Sequence, residues 1–455
     1  MRICVIGGGL AGPEAALTAA RLGCQVDLYE MRALVDGKPR LTPAHQTIEF
    51  GELVCSNSLK SESPNTAPWL LKQEMRRAGS ALLRIADQTA VPAGHALAVD
   101  RVEFSRRIGE AIAAEPMIRV IREEVTSLAP TEAITILATG PLTSDALSRE
   151  IERITGSGHL SFYDSISPIV EADSIDMDRV YMAARWDKGT ADYINCPMNR
   201  EEYDRFLNAL LAAEAAEARE WEKLEYFEGC LPIEILARRG RDTLRFGPMK
   251  PVGLLDPRTG KRPWAVVQLR KENIRADSYN LVGFQNHLKF GEQARVLRLI
   301  PGLENARFPR YGQIHRNTYI CAPALLDELL RLKTAPEGRG EPAPILFAGQ
   351  LSGVEGYTES IATGLLAGIY AAALARGEES IPAPRACALG SLVHYITHAD
   401  PKDFQPANIT FDLLEPLEEE LRKKVRDKKE RHRMVCERAL AAFDAWWAAA
   451  GHTAE

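Results

Sequence analysis

The sequence lacks the paired cysteines of a zinc site. Its eight cysteines contain no CxxC pair and are scattered over 455 residues, at positions Cys4, Cys24, Cys55, Cys196, Cys230, Cys321, Cys387 and Cys436. This spacing argues against a disulfide framework and predicts reduced thiols, most of them buried. We therefore expect no metal site of this kind.

A basic excess is also missing. The formal net charge is −6, whereas dedicated nucleic-acid binders usually carry a positive balance. We find no run long and apolar enough to span a bilayer, and the first apolar segment, ICVIGGGLAG, breaks into glycines instead of a cleavage site. The sequence predicts a cytoplasmic protein without membrane contact, and its length favours two domains.

The N-terminus has the pattern of a βαβ unit. Residues 2–6 and 25–30 are short apolar segments typical of buried strands, and residues 12–22 are rich in alanine and leucine, as in a helix. The unit predicts a parallel sheet and an α/β fold.

A GxGxxG motif joins the first strand to the helix. Gly7, Gly9 and Gly12 permit the tight turn, the approach of a pyrophosphate and the helix–sheet contact. The helix N-terminus favours the phosphates. Glu30, at the end of the second strand, is placed to accept hydrogen bonds from ribose hydroxyls. Together these features favour a dinucleotide site over a merely tight turn.

Two later segments decide which dinucleotide. A predicted strand ends in Ala-Thr-Gly at 138–140, which is typical of FAD folds, and residues 347–360 form a second glycine-rich strand-to-helix junction. Taken alone, that junction could equally be an ordinary βα turn. The expected FAD contacts are Gly7, Gly8, Gly9, Leu10, Ala11, Gly12, Glu30, Ala138, Thr139, Gly140, Gly349, Gln350, Gly353 and Gly356.

Six segments carry a family resemblance. They are GGGLAGPEAA, EFGELVCSNSLKSE, YFEGCLPIEILARRGRDTLRFGPMKPVGL, VGFQNHLKFGEQ, RYGQIHRNTYI and FAGQLSGVEGYTES. Together they resemble the bacterial folate- and FAD-dependent tRNA (uracil-5-)-methyltransferases, from Met1 to about Ala375. A related flavoprotein family, which installs carboxymethylaminomethyl groups on wobble uridine, lacks the EGCLPIE and RRGRDTLRFGPMKPVG blocks. Asn286 is a departure, because the family pattern has threonine there.

The resemblance implies a fold and a reaction. The fold is α/β, with a glutathione-reductase-like Rossmann-type FAD-binding domain in two parts, 1–161 and 336–455, the second including a C-terminal helix, and an inserted α+β domain at 162–335 with tRNA and folate contacts. In the reaction, 5,10-methylenetetrahydrofolate supplies the carbon and FAD reduced by NADH or NADPH supplies the electrons. A uridine in the T-loop of the tRNA T-arm becomes 5-methyluridine. No obligate protein partner is expected.

The chemistry needs a cysteine. Uracil C5 becomes nucleophilic when a thiolate adds to C6. An arbitrary cysteine is usually buried and inert, but the family resemblance favours a catalytic role for two of them. Cys230, with arginines shortly after it, is assigned as the uracil nucleophile. Cys55, in a long loop after the βαβ unit, is assigned as its partner on the base adduct or on the flavin-bound carbon.

Basic and imidazole side chains suggest substrate contacts. The run between 238 and 262 has no helical period and contains aromatic residues, which favours a phosphate-gripping loop over a solvated face. Folate-pocket candidates are equally explained by structural roles. The substrate-binding candidates are Arg238, Arg239, Arg241 and Arg245 for tRNA, and His287, His315 and Arg316 for folate.

Three other functions remain open from the sequence. The first is the wobble-uridine modification flavoprotein, which works with a protein partner. The second is a flavin-containing RNA-binding or folding factor whose chemistry is dispensable. A plain NAD(P)H-linked flavin oxidase is the third, although it gives no role to the basic run or to EGCLPIE.

Overall fold

A computed structural model describes most of the chain. The described residues are 2–42, 44–128, 133–156, 160–165, 167–187, 190–215, 231–312, 314–333 and 344–451, with the backbone alone for 160–165 and 314–316.

The described strands are short. They are β1 (Ile3–Ile6), β2 (Val26–Tyr29), β3 (Ala33–Val35), β4 (Lys38–Arg40), β5 (Ser58–Ser61), β6 (Ala90–Val91), β7 (Ala96–Val99), β8 (Ile118–Ile121), β9 (Ile134–Leu137), β10 (Leu160–Ser165), β11 (Ile169–Glu171), β12 (Tyr181–Ala183), β13 (Tyr193–Met198), β14 (Ala265–Lys271), β15 (Ser278–Leu281), β16 (Ile314–Tyr319) and β17 (Ile345–Phe347).

The described helices vary from one turn to six. They are α1 (Ala11–Arg21), α2 (Ala67–Arg77), α3 (Ala81–Gln88), α4 (Arg101–Ala114), α5 (Asp145–Thr155), α6 (Arg200–Ala212), α7 (Ile233–Arg238), α8 (Thr243–Phe246), α9 (Phe290–Leu297), α10 (Ala322–Leu325), α11 (Tyr357–Arg376), α12 (Ala388–His398), α13 (Glu419–Lys424) and α14 (Lys428–Ala449).

The first sheet is parallel and has the order β17-β9-β1-β2-β8. Ile3 pairs with Val26 on one side and with Ile134 on the other, so β1 lies at the centre. Strands β1, β9 and β17 are apolar and almost wholly buried, as is typical of a parallel sheet. The predicted βαβ unit and α/β class are confirmed, and β17 brings the chain back to this sheet after a long excursion.

Two helices cross closely against this sheet. A Cβ atom at Gly364 of α11 would lie 2.4 Å from the Ala11 carbonyl oxygen of α1, and one at Gly368 would lie 2.7 Å from the Ala15 carbonyl oxygen. Only glycine allows this approach. The contact fixes the N-terminus of α1 relative to the chain entering α11.

The second sheet is antiparallel, in the order β11-β15-β14-β13-β12. Helices α6 and α9 contribute to its separate hydrophobic core, in which Phe206 and Phe284 are fully buried. Asn199 and Glu202 form a capping box that begins α6, since each side chain accepts from the other's backbone N–H. Strands β10 and β16 form a two-stranded antiparallel ribbon.

Three sequence predictions need correction. The long loop predicted around Cys55 is not all loop, because residues 58–61 form β5, which pairs with β7. The predicted C-terminal helix is two helices, α13 and α14, and the Asp427 carboxylate begins the second by accepting from the Lys429 N–H. The basic run after Arg238 contains the one-turn helix α8 and is not a plain loop.

Helix α11 also corrects the membrane prediction. Among the described residues it meets the length and hydropathy criteria of a membrane span, with 20 residues and a mean hydropathy of 1.3. However, 89% of that span is buried inside the protein. Its contacts with α1 and the first sheet are those of a core helix.

Candidate active site

A deep cavity lies at the carboxyl ends of the parallel strands. Residues following β1, β2, β9 and β17 line it in turn, as expected where an open α/β sheet binds a ligand. The predicted residues that line it are Gly7, Gly8, Gly9, Leu10, Ala11, Glu30, Cys55, Ala138, Thr139, Gly140, Gly349, Gln350 and Gly356.

The three glycines of the GxGxxG turn have different structural roles. Gly7 has φ +117°, and a Cβ there would lie 2.4 Å from the Ala138 carbonyl oxygen. A Cβ at Gly12 would lie 1.8 Å from the Gly7 carbonyl oxygen. Gly12 therefore serves helix–strand packing and does not line the cavity. A Cβ at Gly9 meets no atom within 4 Å, so this residue opens onto the cavity.

The N-terminus of α1 faces this opening. No side chain caps it, and its first turn carries N–H groups that favour an anion. An elongated dinucleotide with a central pyrophosphate fits this arrangement, because open space at Gly9 meets an uncapped helix N-terminus. When bound, FAD would supply two-electron redox chemistry to the site.

Glu30 is held in its charged form. Burial disfavours the carboxylate, but the Arg32 guanidinium and the N–H groups of Gly8 and Arg32 outweigh burial and lower the pKa of Glu30. The Gly8 N–H donates to Glu30 at 2.7 Å, and Arg32 Nε donates at 2.9 Å. A Cβ at Gly8 would lie 2.4 Å from the Glu30 carboxylate, so this contact requires glycine.

Cys55 lies on the wall of the same cavity, on a loop fixed from a distant helix. The Tyr357 hydroxyl accepts from the backbone N–H groups of Cys55 and Ser56, at 2.7 and 3.1 Å. Arg101 donates to the Leu53 carbonyl oxygen at 2.5 Å. Electrostatic interactions also link Cys55 with Arg101 and Arg310.

The second glycine-rich junction reaches the cavity too. Gly349 has φ +71° and begins a 3-10 turn after β17, and the Gly349 N–H donates to the Thr363 hydroxyl at 2.9 Å. Gly353, in contrast, does not line the cavity, because it packs against Phe404. At the entrance to α11, Lys60 forms an ion pair with the buried Glu359 at 2.7 Å.

The predicted folate-binding residues lie on different elements of the fold. His287 is buried, and burial lowers its pKa. Its backbone N–H donates to Glu234 at 2.8 Å, and it does not line the cavity, although nearby Gln285 does. His315 and Arg316 lie on β16, opposite Asp164 and Tyr163 of β10.

Asn286, where the family pattern has threonine, is buried. Its side-chain amide donates to the Phe284 carbonyl oxygen at 3.1 Å. Its side-chain oxygen accepts from the Leu288 N–H at 3.3 Å. The residue therefore shapes its own turn. Cys230 lies outside the described residues, which resume at Leu231.

The predicted arginines lie away from this cavity. Arg238 ends α7 and Arg239 follows it, both exposed. Arg241 forms an ion pair with Asp204 at 2.8 Å, and Arg245 pairs with Asp242 at 2.7 Å. These carboxylates reduce the positive charge that the sequence attributed to the two side chains.

A basic groove nevertheless exists on the second sheet. The Arg245 guanidinium stacks over the Trp264 ring, 3.6 Å from its centroid, and Arg200 lies on that ring at 5.4 Å. Lys261 and Arg262 are exposed in the groove, and the described residues give neither an ion-pair partner. We call this surface the Trp264 groove, lined by Arg200, Arg245, Phe246, Lys261, Arg262 and Trp264.

Sequence reasoning missed several side chains at the cavity. Tyr357 stands inside the recognised segment FAGQLSGVEGYTES, and Arg32 follows the recognised Glu30 by two residues. Lys60 and Asn408 also line the cavity, and Lys60 Nζ donates a hydrogen bond of 2.5 Å to the Asn408 side-chain oxygen. Nothing in the sequence near Asn408 signals this contact.

The fold and the site define a class of protein. A five-stranded parallel sheet with a glycine turn, a buried acid after β2 and a second glycine junction after β17 is a Rossmann-type flavoprotein fold. A family model described as glucose inhibited division protein A matches residues 2–379. The structure of Aquifex aeolicus GidA is similar with a TM-score of 0.68, at 17% identity over 98% of this chain and 73% of that chain, which supports the fold.

Curated relatives are much closer in sequence. A "Methylenetetrahydrofolate--tRNA-(uracil-5-)-methyltransferase TrmFO" from Koribacter versatilis is 68% identical over 98% of both chains. Proteins of the same name from Solibacter usitatus and Enterococcus faecalis are 62% and 53% identical, each over at least 96% of both chains. This chain belongs to the family of methylenetetrahydrofolate--tRNA-(uracil-5-)-methyltransferases.

Proposed function

We propose that this chain is an FAD-dependent enzyme that makes 5-methyluridine in tRNA. The carbon donor is 5,10-methylenetetrahydrofolate, and NADH or NADPH is the reductant. One observation carries the proposal: Cys55 lies on the wall of the same cavity as the glycine turn and Glu30. A nucleophilic side chain and the expected flavin site therefore share one space, which a plain flavin oxidase does not need.

The cofactor roles follow the geometry of the cavity. We assign the adenosine ribose to Glu30, the pyrophosphate to the open space at Gly9, and the flavin to the part near Gly349, Cys55 and Tyr357. Gly12 and Gly353 act through packing. NADH or NADPH visits the flavin without a domain of its own.

The two cysteines divide the chemistry. We assign Cys230 as the thiolate that adds to uracil C6, and Cys55 as the thiol on the flavin side. The chain just after Cys230 lies beside the cavity, because the Ile233 N–H donates to the Gln285 carbonyl oxygen at 2.8 Å, and Gln285 lines the cavity. Arg101 and Arg310 interact electrostatically with Cys55 on this wall of the cavity.

We assign tRNA binding to the inserted unit, residues 162–335. Unpaired Lys and Arg side chains and an aromatic ring are the groups that bind phosphates and bases. The Trp264 groove supplies both the basic side chains and the aromatic ring, and we assign it to the T-arm of the tRNA. We keep His315 and Arg316 as folate candidates, while buried His287 shapes the neighbouring turn. We place the enzyme in the cytoplasm, acting without a protein partner.

Reconstitution with purified components tests the function. The chain should convert an unmodified tRNA to one containing 5-methyluridine when FAD, NADPH and methylenetetrahydrofolate are supplied, and nucleoside analysis measures the product. The matched control is the same tRNA with cytidine at the T-loop position. Product in that control, or modification confined to the wobble position, would contradict the proposal.

Omitting components separates the remaining candidates. Loss of product without methylenetetrahydrofolate or NADPH is expected, because the carbon and the electrons come from these two. An RNA-binding or folding factor would bind tRNA yet give no product under any of these conditions. A wobble-uridine enzyme would require a second protein before it acted.

A further inference from the structure

A His-His-Glu cluster lies on helix α12, outside the active site. His394 and His398 are one helical turn apart, and Glu328 reaches them from the turn after α10. One potential ligand atom from each of the three residues lies within 4.8 Å of the others. Histidines spaced i, i+4 on one helix face are a common arrangement for binding a transition metal.

The hydrogen bond to Thr397 orients the His398 ring. The Thr397 hydroxyl donates its single proton to the Val393 carbonyl oxygen at 2.8 Å. Thr397 Oγ1 also lies 2.9 Å from His398 Nδ1, so it accepts there from an Nδ1–H group. In the neutral ring, Nε2 then carries the lone pair. This tautomer, with its other nitrogen held by a hydrogen bond, is the form that binds a metal.

The distance between His398 and Glu328 fits a bridging cation. His398 Nε2 lies 3.6 Å from Glu328 Oε1, too long for a direct charge-assisted hydrogen bond. Two ligands on a tetrahedral zinc ion lie about 3.4 Å apart. The two atoms are therefore spaced as two ligands of one metal ion are.

Both sides of the cluster are held by the fold. Asp327 accepts from the Leu329 and Arg331 N–H groups at 2.9 Å, which fixes the turn that carries Glu328. On α12, Leu392 and Ile396 are buried and orient the opposite face. The His394 ring is stacked on His398, with centroids 4.3 Å apart. Of the charged groups near His394, Arg385 and a protonated His398 are positive and Glu328 is negative.

We propose that His394, His398 and Glu328 bind a divalent transition metal of the zinc type, with water in the fourth position. The ion would join the turn after α10 to α12. Glu328 and His398 are exposed and His394 is half-buried, and small rotations of these side chains bring the three ligand atoms to bonding distance. The cluster uses no residue of the flavin cavity, so metal binding there is separate from the methyl transfer.

Calorimetric titration of the FAD-loaded full chain with ZnCl₂ tests the site. Wild type should show a site with a micromolar dissociation constant, weakened at least tenfold in His394→Ala and in His398→Ala. Thr397→Val should weaken binding about 10- to 100-fold, because it removes the group that fixes the His398 tautomer. The matched control is His95→Ala, an exposed histidine away from the cluster, which should bind zinc like wild type.

A second measurement distinguishes zinc bound at this cluster from zinc bound to cysteine thiols elsewhere. Saturating ZnCl₂ should raise the unfolding midpoint of wild type by about 2–4 °C, but not that of the His394→Ala/His398→Ala double variant. Equal zinc affinities for wild type and the two histidine variants would overturn the proposal. So would an equal rise in the midpoint of the double variant, since zinc would then act from a site elsewhere in the protein.

Discussion

The substitution Gly9→Val isolates cofactor binding from folding. Gly9 has an ordinary backbone conformation, and a Cβ there meets no atom within 4 Å. Valine therefore fits the apo protein without strain and places its methyl groups where the pyrophosphate would lie. Overfilling a packed site costs about 1–3 kcal/mol, and losing one charge-assisted backbone hydrogen bond costs about 1.5–3 kcal/mol. The sum predicts that FAD binds at least about 100-fold more weakly.

Titrating apo protein with FAD while following flavin fluorescence gives the affinity, and thermal unfolding by circular dichroism reports the fold. The matched control is Gly291→Val, in α9, where a Cβ also meets no atom within 4 Å. We expect the control to bind FAD like wild type. Gly7→Ala should behave differently from both, because its Cβ contacts the Ala138 carbonyl oxygen and destabilises the fold itself. A folded Gly9→Val protein with wild-type FAD affinity would refute this assignment of the pyrophosphate site.

Three further predictions follow. Arg32→Met leaves buried Glu30 uncompensated and should lower the free energy of unfolding by about 3–5 kcal/mol at neutral pH. Because the pKa of Glu30 is lowered in the folded protein, its carboxylate stabilises wild type fully above the ordinary pKa of 4.5 and less as pH falls through the lowered pKa. Urea unfolding at decreasing pH should therefore show a shrinking difference in stability between wild type and Arg32→Met. A difference that stays constant with pH would contradict this. The double substitution Lys261→Ala/Arg262→Ala should weaken tRNA binding and lower the slope of log affinity against log salt concentration by about 2. The control is Arg106→Ala, which removes a surface arginine paired with Glu103. An unchanged slope would make the Trp264 groove a solvated face. With tRNA carrying 5-fluorouracil at the target, wild type and Cys55→Ala should form a covalent RNA adduct stable to denaturing electrophoresis and Cys230→Ala should not; peptide mapping that placed the RNA on Cys55 would reverse the two roles.

Local features of the fold were predictable from the sequence. The strand, glycine turn and helix at residues 2–22 depend on neighbours a few positions apart, so apolar periodicity and the glycine spacing were enough. Glu30 was predictable for the same reason, because it ends the next strand. The Glu30–Arg32 ion pair was within reach as well, since only two residues separate its members.

Contacts between distant segments were not predictable. The Tyr357 hydroxyl fixes the Cys55 loop across 302 positions of sequence, and only the fold brings them together. The basic run between residues 238 and 262 also depends on a distant segment. Its charge was visible, but the pairing of Arg241 with Asp204, 37 positions earlier, depends on how α6 packs beside α7. Charge counted along the chain therefore overstated the positive field at that arginine.

The origin of the methyl carbon tests the central claim most directly. Unmodified tRNA would be incubated with the purified chain, FAD, NADPH and methylenetetrahydrofolate labelled at its methylene carbon, and the digested nucleosides analysed by mass spectrometry. We predict that the label appears in 5-methyluridine from the T-loop, with the Cys230→Ala protein as the inactive control. Unlabelled 5-methyluridine, or label found only at the wobble position, would contradict the account.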